Sequence, residues 1–451
     1  MTFQDNANTG HAGFLATTGY AGSGANPGHA GSWYAASAND KTVRPALAGD
    51  LTADVCIIGA GFTGISAALE LSERGYSVIV LEATRIGFGA SGRNGGQIVN
   101  GYSRDLETIA GRYGKDKAIA LGRMSLEGGN IIRERVKKYA IDCDLEHGGF
   151  FAAFTDKQIR EMEHHKADWE RHGHAGLEMV SKADVSKYVK TDRYAGGMID
   201  KLGGHIHPLN LVLGEASAAE SLGARIFEGS RAIAVDTAKS KPVVSTGTGS
   251  VTASYVLICG NAYLAPLAPE IHSRMMPVSS QVMVTEPLDA SLIESLLPAN
   301  YCVEDANYIL DYYRRTADNR LLYGGGIGYG GTDPKNLTGV IRPNMLKTFP
   351  QLKSTRIDYA WSGNFALTLT RIPHMGKLSD TVYFSHGDSG HGVTTTHLLG
   401  KILGEAVAGH AERFDIWASL PNLPFPGGRM FRVPLTALGA WYYGLRDRLG
   451  V

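Results

Sequence analysis

The stretch from Asp54 to Ala83, DVCIIGAGFTGISAALELSERGYSVIVLEA, constrains the fold of this chain more than any other. VCII and VIVL are short, continuous apolar runs, as in parallel strands covered on both faces. Between them Ile65, Ala68 and Leu69 fall at helical spacing, and Gly75 suits the position just past a helix C-terminus. Gly59-Ala60-Gly61-Phe62-Thr63-Gly64 joins the first strand to the helix as a G-x-G-x-x-G, and Glu82 lies 18 residues beyond Gly64, at the end of the second strand. Alone the motif is weak; with strand, helix and acidic residue in order it has its full context. Gly59 allows the tight turn, Gly61 lets backbone approach a pyrophosphate, and Gly64 lets helix and strand pack closely. The helix N-terminus offers N–H groups and partial positive charge to phosphates. Glu82, with Ala83 beside it, is placed to accept hydrogen bonds from a ribose diol. A dinucleotide is expected; the motif leaves FAD or NAD open.

The 451 residues suffice for two domains. Lys+Arg 44 against Asp+Glu 44 argues against a large nucleic-acid surface. Glycine, at 57 residues, is well above the usual ~7%, and without a collagen period it reads as tight turns around something bound. Cys56, Cys143, Cys259 and Cys302 have no ligand-like spacing, which suggests a reducing compartment. The N-terminus lacks a signal-peptide pattern, and the apolar segment Val433 to Leu445 is short of the ~20 residues a membrane helix needs. A cytoplasmic protein without a membrane span is expected.

Residues 1–50 read as an irregular arm, which the aromatics of SWYAA (Ser32 to Ala36) can anchor. A second strand, glycine turn and helix appears in TVYFSHGDSGHGVTTTHLLGKILGEAVAG, far from the first. Nucleotide-type elements at both ends imply discontinuous domains. The expected division is 51–140, 203–275 and 361–415 for a dinucleotide domain, 141–202 and 276–360 for a substrate domain, and 416–451 as a tail. His164-His165 reads as a solvated helix face.

The segment GASGRNGGQ, Gly89 to Gln97, follows the strand–helix–strand unit. Together with SWYAASAN, GGHIHPLNL, VLICGNAY, WSGNFALTLTRIPHMG and GDSGHGVTTTHLLGKILGE, it resembles the D-amino-acid oxidase/glycine oxidase superfamily of FAD enzymes, with the pattern nearest the γ-glutamylputrescine oxidase-like branch. The resemblance spans nearly the whole chain from residue 30. It implies an α/β fold: a Rossmann-like FAD domain of glutathione-reductase type with a discontinuous α+β substrate domain on an antiparallel sheet. It further implies that the loop carrying Ser91, Gly92, Arg93, Asn94, Gly95, Gly96 and Gln97 folds over the pyrophosphate and one flavin edge. Arg93 would neutralise phosphate charge, a solvated side chain being the alternative, and Asn94 would orient the loop. Gly390, His391, Gly392, Val393 and Thr394 would lie beside the flavin N1–C2=O edge, where a helix N-terminus stabilises negative charge. His391 either donates a hydrogen bond or simply packs. Ala232, within Arg231 to Val235, would hold adenine, and Gly260 and Asn261 would close the site.

The sequence departs from relatives at the substrate end. WSGNFA (Trp361 to Ala366) has no cysteine, so no cysteinyl flavin link is expected there. Phe365 stands near the arginine that in glycine oxidase clamps the substrate carboxylate; Arg371 is the candidate replacement. Trp361, Arg371, His391 and Tyr312 are the catalytic candidates, with Tyr313, Tyr329, Asn364 and His374 as further wall residues. Tyr312 and Tyr313 equally suit a strand pair, one in and one out. Asp305 and Asp311 are candidate counter-ions for a substrate ammonium. The resemblance implies hydride transfer from an amine to flavin N5, imine hydrolysis, and reoxidation by O2 with release of H2O2. A dehydrogenase serving a quinone or carrier, docked through the aromatic tail, is the alternative, and a non-catalytic flavin protein the third. Packing of the tail against the body is the simpler reading of it. No metal site is expected, and the oligomeric state is open.

Overall fold

The structure is a computed structural model that describes residues 28–449 except 239, 265 and 266. Strand Gly49–Ile58 pairs in parallel with Val78–Leu81 on one side and Gly249–Ile258 on the other. Its side chains alternate between faces. Val55 and Ile57 enter one apolar core and Cys56 and Ile58 another, which is why the run is continuously apolar. The sheet order is His374–Ser379, Val382–His386, Gly249–Ile258, Gly49–Ile58, Val78–Leu81, Arg225–Phe227, with the hairpin Ala234–Asp236/Val243–Ser245 on its flank. Helices Phe62–Glu73, Pro208–Ser221 and Gly392–Val407 pack together over the first core.

A buried charge cluster ties these helices. Glu215 meets Arg135 at 3.1 Å and His397 at 3.1 Å, and Arg135 also donates to Ser66. Burial alone would raise the Glu215 pKa, but His397 and Arg135 hold it below the usual range.

The second sheet runs Ile357–Thr368, Met275–Thr285, Leu321–Tyr329, Tyr312–Arg315, Cys302–Asp305, Glu146–Ala153, Gly196–His205, Gln97–Ile98, with Leu177–Ser181 on Gly196–His205. It is antiparallel except where Cys302–Asp305 meets Glu146–Ala153. One face packs a core with Tyr313, Tyr323 and Phe349 under helix Leu337–Thr348. The other faces the dinucleotide domain. The expected α/β architecture is present. Gln97–Ile98 and all of Ile357–Thr368, including WSGNFA, belong to the antiparallel sheet, because their backbone ladders run to His205 and to Met275–Thr285.

Of the arm, residues 1–27 lie outside the described residues. Beyond them Trp33–Ala36 is a helical turn with Trp33 and Tyr34 buried, so the aromatics do anchor it. The tail forms helices Glu412–Ala418 and Gly428–Leu449. Arg432 docks the latter on the His272 and Met275 carbonyls, while Leu435, Leu438 and Trp441 stay exposed. Packing against the body is therefore partial. All four cysteines are free and buried. No described helix is long and apolar enough to cross a membrane, and no cluster suited to a metal occurs among the described residues.

Candidate active site

A cavity of about 680 Å³ lies between the two sheets. Gly59, Gly61, Phe62, Thr63, Glu82, Ala83, Ser91, Arg93, Asn94, Gly95, Gln97, Ala232, Gly260, Asn261, Gly390, His391, Gly392 and Val393 all line it, so elements from both ends of the chain converge. Two helices, Phe62–Glu73 and Gly392–Val407, start at this cavity, and neither N-cap makes a side-chain cap bond. Their first-turn positive ends are thus directed at one space.

The glycine turn behaves as its sequence requires. Gly59 has φ +103°, and a Cβ there would stand 2.9 Å from the Cys259 carbonyl oxygen. Gly64 does not line the cavity; a Cβ on it would fall 1.9 Å from the Gly59 oxygen, which is the close helix–strand packing expected. Glu82 accepts from Ala60 N–H at 2.8 Å and Thr84 N–H at 2.9 Å, so its buried carboxylate is fixed at the strand end. Burial raises its pKa against those hydrogen bonds.

Asn94 orients the glycine loop as anticipated: its amide donates to the Ala90 and Ser91 carbonyls and its oxygen accepts from Gly96 N–H at 2.7 Å. Ser91 Oγ accepts from Phe62 N–H at 2.9 Å, joining loop to helix. Arg93 lines the cavity and is held there by protein contacts. Its Nε donates to Phe88 O at 2.7 Å and its guanidinium sits over the Phe88 ring, so the side chain is held in place while partly exposed. Gly92 and Gly96 lie behind the cavity wall, where Cβ atoms would meet Gly87 O at 2.4 Å and Ile206 O at 2.2 Å. Thr394 is also behind the wall, donating to Val99 O at 2.7 Å; Thr396 lines the cavity instead. Asn261 braces the second turn through Asp388 at 2.7 Å and Gly387 N–H at 2.9 Å. His391 lines the cavity, and Nε2 lies 3.3 Å from the Asn100 carbonyl; burial lowers its pKa and keeps it neutral.

These features fit FAD: a glycine cradle that side chains would obstruct, two helix starts whose N-cap residues make no side-chain cap bond, and a carboxylate at the strand end, where a ribose diol is expected.

At the substrate end, Tyr312 lines the cavity while Tyr313 stacks on Tyr323 in the core, one in and one out. Arg371 lines it too, at φ +64°, its guanidinium donating to Tyr308 Oη at 2.9 Å. Four wall candidates are elsewhere. Trp361 is buried, donates to Arg93 O at 2.9 Å and meets Tyr34 edge-on, so it supports the loop rather than touching the cavity. Asn364 points to the opposite face of its strand, His374 bonds His386, and Tyr329 interacts with Arg371 from outside the lining. His164 and His165 are both exposed on helix Asp156–Arg171, as the helix-face reading has it; His164 pairs with Glu107, and His165 also borders the cavity.

Asp305 and Asp311 do not reach the cavity. On strand Cys302–Asp305, Val303 and Asp305 share the core-facing side, and Glu304 takes the other. Sequence reading missed Glu304, and also Arg104, Tyr308 and Leu310 in the wall. Parity against Val303 was the available signal.

The FAD-dependent oxidoreductase family designated DAO matches residues 54–406. The chain is 54% identical over 421 residues to γ-glutamylputrescine oxidoreductase of Escherichia coli strain K12, covering 93% of this chain and 99% of that protein. It is 40% identical to the probable oxidoreductase OrdL of Haemophilus influenzae, covering 92% and 97%. Among solved structures, glycine oxidase of Geobacillus kaustophilus aligns with TM-score 0.66 at 21% identity, over 79% of this chain and 95% of that one. L-proline dehydrogenase of P. horikoshii aligns with TM-score 0.67 at 18% identity, over 90% and 99%. At those identities the structures speak to the fold, and the expected architecture is theirs. Match and geometry agree: the chain belongs to the DAO family of FAD-dependent oxidoreductases.

Proposed function

We propose that this oxidoreductase oxidises the C–N bond of an amine that carries a distal acidic group, of the γ-glutamylputrescine type. The observation that carries the reading is the composition of the cavity's substrate wall: Tyr308, Leu310 and Tyr312 with Arg104 and Arg371. An aliphatic amine suits the aromatic wall, and a carboxylate suits the guanidinium groups. Arg104 has its pKa lowered by burial and then by the charge of Arg371, so two cations share this region. The identity to the Escherichia coli protein supports the same substrate class.

When bound, FAD supplies the two-electron acceptor for a hydride from the carbon bearing the amine. The chain's residues do the rest. Tyr308 fixes the Arg371 guanidinium, which holds the acid end and so sets which carbon reaches the reacting position. Tyr312 remains protonated, since burial raises its pKa, and forms a wall without charge. The two helix starts stabilise negative charge developing nearby. The resulting imine hydrolyses to an aldehyde and ammonium, and O2 is the proposed acceptor, giving H2O2; a quinone or carrier is the competing one.

The test is anaerobic flavin absorbance during addition of γ-glutamylputrescine, putrescine, spermidine, glycine and D-alanine. Bleaching by γ-glutamylputrescine at the lowest concentration supports the reading, and admitted air then tests O2. Bleaching by glycine or D-alanine alone would overturn the substrate class. A protein reoxidised only by a quinone would overturn the acceptor.

A further inference from the structure

Glu304 is an acidic side chain facing the cavity from the antiparallel sheet, and it makes no hydrogen bond or ion pair among the described residues. A carboxylate placed so, without a partner, is costly to bury unless a ligand or proton completes it. Its setting is fixed by register. Glu304 pairs with Tyr312 on one neighbouring strand and with Phe151 on the other. Val303, the residue before it, accepts from the Gln97 amide at 3.1 Å, so the strand is fastened to the glycine loop. Tyr312 in turn abuts that loop: a Cβ on Gly95 would fall 2.5 Å from its ring. Glu304 therefore belongs to the part of the wall that adjoins the loop carrying the flavin-binding residues.

Resting on the amine-oxidation reading, we propose that Glu304 binds the substrate's reacting ammonium and accepts its proton. The N–H bond breaks, its electron pair stays on nitrogen, and the proton passes to the carboxylate. R–CH2–NH3⁺ and Glu304–COO⁻ become R–CH2–NH2 and Glu304–COOH, and the proton leaves later to solvent. Only the neutral amine has the nitrogen lone pair that drives loss of hydride from its carbon.

Two features support this role. Burial alone pushes the carboxyl up to about 7, and no guanidinium offsets it, so Arg104 and Arg371 hold a separate subsite rather than neutralising Glu304. A base poised near neutral pH is matched to its task. Titratable and charged groups reach the same cavity from several elements, Glu82, Arg93, Tyr102, Asp388 and His391 among them. Tyr312 is the titratable neighbour on one strand, Phe151 on the other has no charge, and His165, Asp105, Arg104, Tyr308 and Arg371 share the cavity.

The test uses holoenzyme of wild type, Glu304→Gln and Glu304→Asp. One readout is the pH profile of anaerobic flavin bleaching by the amine that reduces wild type. The other is binding of butyltrimethylammonium, which cannot give up an N–H proton, followed by perturbation of the flavin spectrum. Wild type is expected to show a rate limb rising through about pH 7. Glu304→Gln should lose that limb, fall about 100-fold at neutral pH, and recover toward pH ~10, where a free amine sheds its own proton. Its affinity for the quaternary cation should drop at least about tenfold. Glu304→Asp should restore part of both. Unchanged profile and unchanged cation affinity in Glu304→Gln would overturn the proposal while leaving amine oxidation intact. Should no amine bleach wild type, the amine-oxidation reading fails, and the cation titration alone decides Glu304: equal affinities in wild type and Glu304→Gln refute it.

Discussion

The Trp361 indole N–H donates to the Arg93 carbonyl at 2.9 Å, fastening the antiparallel sheet to the glycine loop. Tyr34 from the N-terminal helical turn closes on the same indole with ring centroids 5.2 Å apart. Three distant parts of the sequence thus fix one stretch of backbone. Trp361→Phe keeps most of the volume but leaves the Arg93 carbonyl without that donor, which costs about 1–3 kcal/mol. FAD affinity is expected to fall about tenfold, with substrate KM less affected. Flavin fluorescence on dilution measures the release; unchanged retention would remove Trp361 from the support of the loop.

Two glycines of the motif should fail in different ways. A Cβ on Gly64 would sit 1.9 Å from the Gly59 carbonyl oxygen, a backbone atom that cannot step aside. A Cβ on Gly61 meets only Ser91 Oγ, at 3.0 Å, and Gly61 lines the cavity. Gly64→Ala should therefore lower stability by about 1–3 kcal/mol or more, or fail to fold. Gly61→Ala should keep its apoprotein Tm and bind FAD about tenfold more weakly. Thermal melts of apoprotein beside FAD titrations separate the two, and the reverse pattern would sink the assignment.

What was legible in the sequence was local. Gly59 to Glu82 could be placed because each role depends on residues within one strand–turn–helix–strand unit, and the structure adds only exact partners such as Ala60 and Thr84 for Glu82. The substrate wall depends on which side of a strand faces in, and a one-residue error reverses that. Asp305 and Glu304 are adjacent, yet the first enters the core side and the second the cavity. Trp361 shows a different limit. It shares a strand face with Gly363 and Phe365, both of which line the cavity, but Tyr34 and Arg93 cover it. No pattern within WSGNFA reveals a cover that comes from residues hundreds of positions away.

Arg371 should set affinity for the acid end rather than the chemistry. Its guanidinium is held by Tyr308 and lines the cavity. A charge-assisted hydrogen bond contributes about 1.5–3 kcal/mol, so Arg371→Gln should raise KM for γ-glutamylputrescine roughly 10- to 100-fold. Turnover of putrescine, which has no carboxylate, should scarcely change. Equal losses on both amines would mean that Arg371 acts on something other than the acid group.

The core beneath the substrate sheet carries its own pH dependence. Asp305 accepts from Asn307 N–H at 3.1 Å, and its other carboxyl oxygen is buried without a partner among the described residues. Burial first, and then the charge of Asp311, push its pKa up to about 8. Unfolded, the same carboxyl titrates near ~3.9. Between those values the folded state binds more protons than the unfolded chain, so stability falls as pH rises. The contribution is fully present below the unfolded pKa and is lost as pH climbs through about 8. Asp305→Asn keeps the shape without the ionisation. Its Tm should match wild type near pH 4 and exceed it by roughly 2 °C or more at pH 9. Melting curves from pH 4 to 9 read this directly. A gap that widens toward acid instead would mean that Asp305 is ionised and stabilising in the fold, paired with a cation such as Arg193, whose charge acts on it in the opposite sense to Asp311.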